Sequence, residues 1–217
     1  MHPVPTVYDV QVGDIVLQAP KPTGESKAVR VFPLRVRTGA RVHGLRFQLG
    51  DPRKDPWLHL HHSGNVRAYD TDSPQSLCVE AILTCPAAAQ QLHRVEQKVK
   101  DLFVQLGPQW LPTLTHLHDM RSHLEQIWQP LVETKKIRGE TAMSLNLTVH
   151  PWDKWTEQAT RIICVDGSNK PVRNGDVTDL VADSEVFPIV QLSAVVCKAR
   201  LIRLSLVVTD LLVKLRN

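Results

Sequence analysis

The sequence predicts a mainly β protein with a helical insertion: a small closed β-barrel plus two amphipathic helices. Three observations lead there. Short apolar–polar alternations, punctuated by Gly, Asn and Asp, run through residues 28–84 and again through 143–217. Between them, over about 87–130, the apolar period lengthens from that of a strand to that of a helix. Fifteen prolines in 217 residues favour short strands and loops over long helices.

Residues 1–27 are expected to form an N-terminal arm, with short strands at 7–10 and 14–17 and a Pro/Gly loop at 19–24. The barrel domain is then expected to span 28–217 as one unit. At 28–37, Phe32, Leu34 and Val36 share one face while Arg35 and Arg37 take the other. Gly39 interrupts, and Leu45, Phe47 and Leu49 resume the alternation. After a turn region at 50–56, residues 57–61 and 77–84 read as strands, with a loop at 63–74 between them. The second of these strands puts Leu77, Val79, Ala81 and Leu83 on one face.

From 87 to 106, Leu92, Val95, Val99, Leu102, Phe103 and Leu106 recur at helical spacing. Pro86 suits a first helical turn, and Gly107-Pro108 is expected to end the helix. A second helix is expected over 113–129, striped by Leu117, Met120, Leu124, Ile127 and Trp128 and stopped by Pro130. Amphipathic helices must bury their stripes, and a barrel end or sheet face is the available partner. Beyond a basic loop at 135–139 the strands return. Leu145, Leu147 and Val149 alternate, and 161–165 forms one arm of a hairpin turned by Asp166-Gly167-Ser168-Asn169. Residues 186–197 form a long strand with Val186, Val190, Leu192, Ala194 and Val196 on one side, and 202–215 closes the chain.

The bulk numbers suit one globular domain with room for a core: 42% of residues are hydrophobic and 22% charged. The net charge of +4 is unevenly spread. Residues 1–50 hold seven Lys or Arg against three carboxylates, and 198–217 hold five against Asp210, so the middle of the chain is acidic. Two basic ends folded side by side make a patch for a polyanion. Cys78, Cys85, Cys164 and Cys197 lack metal or redox spacing and read as small buried hydrophobes of a reducing compartment. No signal peptide and no apolar run of ~18 residues is evident, so a soluble, intracellular protein is expected. The sequon at Asn146 falls inside a predicted strand and reads as chance.

Here the residues resemble a known family. The stretch Val177-Thr178-Asp179-Leu180-Val181 and the run from Ser184-Glu185-Val186-Phe187-Pro188 through Ile189-Val190-Gln191-Leu192 to Val196 are similar to the closing strands of one viral group. That group is the OB-fold single-stranded DNA-binding proteins of podophages and large nucleocytoplasmic DNA viruses. Val31-Phe32-Pro33-Leu34-Arg35-Val36 with Leu45-Arg46-Phe47-Gln48-Leu49 resembles its paired opening strands. Leu77 to Leu83 followed by the helix through Val95 and Val99 resembles its strand-to-helix passage, and Trp110 and Trp128-Gln129-Pro130-Leu131-Val132 fall where it carries a Trp and a Pro-containing segment. The resemblance spans about 28–217. It implies an OB-like barrel with a helical insertion, and a non-catalytic role coating single-stranded DNA in replication or recombination. Three departures stand out. The closing hairpin, Val195-Val196-Cys197-Lys198-Ala199-Arg200, lacks the family's aromatic and Gly, the chain ends basic where phage members carry an acidic tail, and Tyr and Phe are scarce, at two and four. The weak aromatic content and the altered hairpin favour an alternative: a structural or assembly protein, for example a virion component, using the barrel as an interaction module.

Single-strand binding needs cations for phosphates and flat side chains for bases. Trp152 and Trp155, with Lys154 between them and Arg161 nearby, are the leading stacking candidates, against the competing expectation that both cap a barrel end. Trp57, beside Arg53 and Lys54, is a second candidate, whereas Trp110 and Trp128 near helix ends read as core. Arg35 and Arg37 on one strand face, Lys135, Lys136 and Arg138 in the basic loop, and Arg200 and Arg203 bordering the last strand are the candidate phosphate ligands. His59, His61 and His62, and His116, His118 and His123, lack the companions a zinc site needs and are expected at surfaces or caps. Asp70 and Asp72, and Asp176, Asp179 and Asp183, are the residues a metal-dependent nuclease would use, but they sit in turn sequence where Asp belongs for backbone reasons. No P-loop, nucleophile elbow or H-E-x-x-H is present. No cofactor, metal or membrane partner is expected. The expected partner is single-stranded DNA, with replication or virion proteins and a second copy of the chain as further candidates, at a viral replication site in the host cytoplasm or nucleus or in the virion.

Overall fold

The computed structural model describes residues 4–22, 29–50, 57–66, 77–110, 120–150, 159–198 and 201–215. In chain order the first strands are β1 (Ile15–Leu17), β2 (Lys21–Pro22), β3 (Arg30–Thr38), β4 (Arg41–His43), β5 (Leu45–Gln48), β6 (Leu58–Val66) and β7 (Leu77–Leu83). Two helices follow, α1 (Pro86–Trp110) and α2 (Met120–Ile127). The chain then returns to strands: β8 (Trp128–Gln129), β9 (Val132–Ile137), β10 (Glu140–Val149), β11 (Arg161–Val165), β12 (Pro171–Asn174), β13 (Glu185–Lys198) and β14 (Leu201–Lys214).

Five of these strands close a barrel. β6 pairs antiparallel with β7, and β7 with β10. β10 runs parallel to β14, β14 pairs antiparallel with β13 along its whole length, and β13 returns to β6. This is an OB-like Greek-key barrel, with the helices inserted between its second and third strands. The predicted class, mainly β with an OB-like barrel and two helices, is the one observed. β13 outruns β6 and uses the rest of its free edge to hold β5 and then β3, which carries β1, β2 and β4.

Alternation fills the interior. Leu60, Val79, Ala81, Leu147, Val190, Leu192, Leu206 and Val208 are buried and point inward. Each large aliphatic side chain so buried contributes about 1.5–3 kcal/mol. The core also takes in Val7, Val10, Ile15 and Leu17. Residues 7–10 do not form the expected strand: Thr6 donates its N–H and hydroxyl to Asp9 Oδ2 (2.9 and 2.7 Å), which closes a 3₁₀ turn at Val7–Asp9.

Two β-bulges in the closing hairpin reset its parity. The extra residue at Ser193 exchanges inward and outward sides, so Val195 and Cys197 point inward instead of the expected Val196. At Thr209 a second bulge turns Asp210 outward and lets Leu211 and Val213 resume the core face.

α1 buries Leu92, Val95, Val99 and Phe103. It continues past Gly107-Pro108 because its last turn is held from outside. Phe32 meets Phe103 edge-on at 5.2 Å and Trp110 at 5.7 Å, and Arg30 Nη1 donates to the Trp110 carbonyl (2.8 Å), a cation on the negative helix end. Gly107 admits α2: a Cβ there would stand 3.3 Å from Met120 Cε. α2 stops at Ile127, before the expected 129, because Trp128 joins the ladder beside Ile202. Its expected first turns, 113–119, lie outside the described residues. Buried Glu96 ties the insertion down, accepting from Trp128 Nε1 (2.5 Å) and Leu131 N (3.3 Å).

The expected basic loop at 135–139 is largely strand. Lys135, Lys136 and Ile137 belong to β9, and Arg138 and Gly139, at φ 51° and 89°, form a two-residue hairpin into β10. Among the described residues no helix is long and apolar enough to cross a membrane.

Candidate nucleic-acid interface

Strand alternation gives the β13–β14 ribbon an outward face as long as the ribbon itself, about 45 Å for fourteen residues. With Val186, Val190 and Leu192 inward, Phe187, Ile189 and Gln191 face out. Register lays neighbouring strands beside them in rows. Arg46 of β5 flanks Gln191, which lies opposite Val207. One step along, Gln48, Ile189, Asp210 and Arg161 of β11 share a row. Phe187, Leu212 and Ile163 make the next.

The middle of this face is organised by Asp210, only 8% exposed. Arg161 reaches it from one side, with Nε 2.9 Å and Nη2 2.6 Å from Oδ1. Arg46 reaches it from the other through Nη2 to Oδ2, while its Nε donates to the Thr209 hydroxyl at 3.0 Å. Two guanidiniums thus share one carboxylate. The cluster keeps a net positive charge, and the Arg46 and Arg161 side chains remain 43% and 67% exposed. An arginine held on its inner edge by a carboxylate presents its outer N–H groups in a fixed orientation, which suits a phosphate oxygen.

Cations continue towards both ends. At the hairpin end, Lys198 and Arg203 line a groove with Ser205. At the far end, Lys214 lies 2.8 Å from Glu185 and 5.4 Å above the ring of Trp57. Trp57 is buried, with its ring 6.3 Å from that of Phe187, so among the described residues the aromatic ring left partly exposed on this face is that of Phe187.

The predicted site residues divide. Arg161 and Arg203 share the ribbon face. Arg35 and Arg37 continue the outward set of β3 past its last pair with β13, Pro33 with Ala194, and Arg35 Nη1 donates to the Leu34 carbonyl (3.1 Å). Lys135 is ion-paired with Glu80, and Lys136 leaves β9 on the opposite side. Burial pushes the Glu80 carboxyl up, but hydrogen bonds from Lys135 and Ser144 and the Lys135 charge hold it below its ordinary value. Arg138 grips Asp183 with both contacts from Nη2 (2.9 and 2.8 Å). Trp152, Lys154, Trp155 and Arg200 lie outside the described residues, although the chain on either side of each segment is described. Thr160 N donates to the His150 carbonyl and His150 N to Thr160 Oγ1, both at 3.0 Å, and Thr160 Oγ1 donates to the Val208 carbonyl at 2.7 Å. The described residues flanking the tryptophan-bearing stretch, His150 and Thr160, are therefore tied to each other, and Thr160 is held to β14 two residues from Asp210.

Arg46, Phe187, Lys198, Asp210 and Lys214 are members of this face that sequence reasoning did not place in the site. A signal existed for Phe187, which alternates out of phase with Val186 and Val190. None existed for the Arg46–Asp210 contact, made across 164 positions.

The nuclease-type carboxylates are engaged otherwise. Asp179 takes two contacts from Arg173 (2.5 and 3.0 Å), and Asp183 takes Arg138. Asp70 and Asp72 lie outside the described residues. Among the described residues no group of three or more His, Cys, Asp or Glu side chains is placed to hold a metal ion.

No protein-family model and no curated protein matches the sequence. Among solved structures, the chain is similar to the C-terminally truncated single-stranded DNA-binding protein from bacteriophage Enc34. Identity is 6% and the TM-score 0.42, over 91% of this chain and 96% of that one. It is also similar to that phage protein in complex with ssDNA, at 6% identity and a TM-score of 0.39, over 92% of this chain and 96% of that one.

Proposed function

We propose that the protein binds single-stranded DNA on the outward face of the β13–β14 ribbon, without catalysis, in viral-type DNA replication or recombination. The observation that carries this reading is the Arg46–Asp210–Arg161 cluster, set between Lys198 and Arg203 on one side and Phe187 and Lys214 on the other. Phosphates lie along the cations, and bases stack on Phe187 and on Trp152 and Trp155, which precede Arg161 in the chain. Each stacked base is worth about 1–3 kcal/mol. The resemblance of the closing strands to viral single-strand binders supports the biological setting.

The test is a fluorescence titration with oligo-dT at low and high salt. Affinity is expected to fall steeply as salt rises, because each neutralised phosphate releases counterions. Absence of binding at low salt would sink the reading.

A second reading, a structural or assembly protein, is favoured by the apolar members of the same face, Ile163, Ile189, Val207 and Leu212, which are only partly buried. It predicts a defined oligomer or a protein partner together with indifference to oligo-dT.

A further inference from the structure

The hairpin of β9 and β10 leaves one strand edge uncovered. Its turn is the pair Arg138 and Gly139, so Ile137 and Glu140 exchange both backbone hydrogen bonds across it. Bonding then alternates along β9. Ile137, Lys135 and Glu133 turn their backbone groups to β10, and Lys136, Thr134 and Val132 turn theirs to the other edge. Among the described residues no strand pairs with that edge and no backbone group bonds it. Thr134 and Lys136 are exposed along it. The side chains of Glu133 and Lys135 share one face, beside Ser144 and Ala142. Lys135 meets Glu80 there, whereas Glu133, half-buried, has no ion pair among the described residues.

An unpaired edge is a template for another strand, and the order of charges on this one fits a second copy of itself. In a two-fold antiparallel pair, one residue lies opposite its own counterpart on the axis. With the axis at Thr134, Glu133 of each copy lies opposite Lys135 of the other. These are positions between hydrogen-bonded pairs, where facing side chains are closest. Val132, Thr134 and Lys136 of each copy then donate to and accept from the other. Moving the axis by one residue sets Glu133 against Glu133 or Lys135 against Lys135, and like charges directly opposite are destabilising. One register is therefore selected over its neighbours. We propose that the protein forms a two-fold dimer through the free edge of β9, antiparallel about Thr134, with Glu133 of each copy paired to Lys135 of the other. The inference is independent of the single-strand reading, since it uses none of the cations of the β13–β14 face.

Sedimentation equilibrium of the full chain, 24.4 kDa, from low micromolar to submillimolar protein tests it. The mass is expected to rise with concentration from one chain to two. Glu133→Lys and Lys135→Glu each set like charges opposite one another in the self-pair, and each is expected to weaken self-association about tenfold. An equimolar mixture of the two variants brings opposite charges together again at both positions, and is expected to associate as tightly as the unaltered protein. Lys135→Glu also gives up the contact with Glu80, so a second measurement uses the unaltered protein alone. Amide exchange at Val132, Thr134 and Lys136 is expected to slow as protein concentration rises. A single-chain mass at every concentration overturns the dimer. A dimer indifferent to both charge reversals, or one that leaves exchange at these three amides unchanged, overturns the β9 interface.

Discussion

Asp210 does two things for its arginines: it takes up part of their charge, and it fixes where the rest is presented. Arg161→Gln leaves Asp210 paired with Arg46, so the fold keeps its partner while the face loses one of its proposed phosphate ligands. Binding of oligo-dT by this variant is expected to weaken several-fold. The slope of log affinity against log salt is expected to shrink by about 0.7, the single-strand value for one contact. Titrations at four or five salt concentrations measure it, and a slope equal to that of the unaltered protein would remove Arg161 from the interface. How much of this was legible depended on the residue. Arg161 and Arg203 stood out as basic residues at strand edges. Phe187 was readable from alternation alone, since it falls out of phase with the buried Val186 and Val190. Arg46 and Asp210 carried no local sign of each other, since their contact arises only when β5 and β14 are both laid on the central sheet.

Among the elements, the helical insertion shows what holds the barrel's added parts in place. Glu96 is buried in α1 and is met by the Trp128 indole and the Leu131 amide, with Lys100 Nζ 3.9 Å away. Glu96→Ala strands two buried donors at once, and each unpaired donor costs about 1–3 kcal/mol. The variant is expected to lose about 2–4 kcal/mol in urea unfolding at unchanged m-value, with the barrel intact. A loss below about 0.5 kcal/mol would mean that apolar packing alone docks α1. Strand and helix types were legible because the apolar period changes cleanly after Pro86. The ends of elements were less so. Nothing local announced that Arg30 would cap α1 beyond Pro108, that β9 would absorb Lys135 and Lys136, or that bulges at Ser193 and Thr209 would reverse the parity of the longest strands. Each of these is a tertiary contact overriding a local rule.

For the whole molecule, acid is the informative stress. Arg173 holds the Asp179 carboxyl at about 2 by hydrogen bonding, and Glu80 also lies below its ordinary value despite burial. Both groups bind protons more weakly folded than unfolded, so the stability they contribute is complete above their unfolded values, near pH 4, and is lost as pH falls towards 2. Unfolding midpoints are expected to drop over that interval, and the Asp179→Asn variant to show a shallower drop. Parallel pH profiles for the two proteins would contradict this assignment. The barrel and its long closing hairpin gather cations from β5, β11, β13 and β14 onto one face, the proposed seat of an unpaired strand. Ultraviolet cross-linking of oligo-dT to the protein, followed by peptide mapping, locates that strand. Attachment at Phe187 and in the 151–158 segment is expected; cross-links confined to α1 and the β3–β4 hairpin would place the strand elsewhere and overturn the proposal.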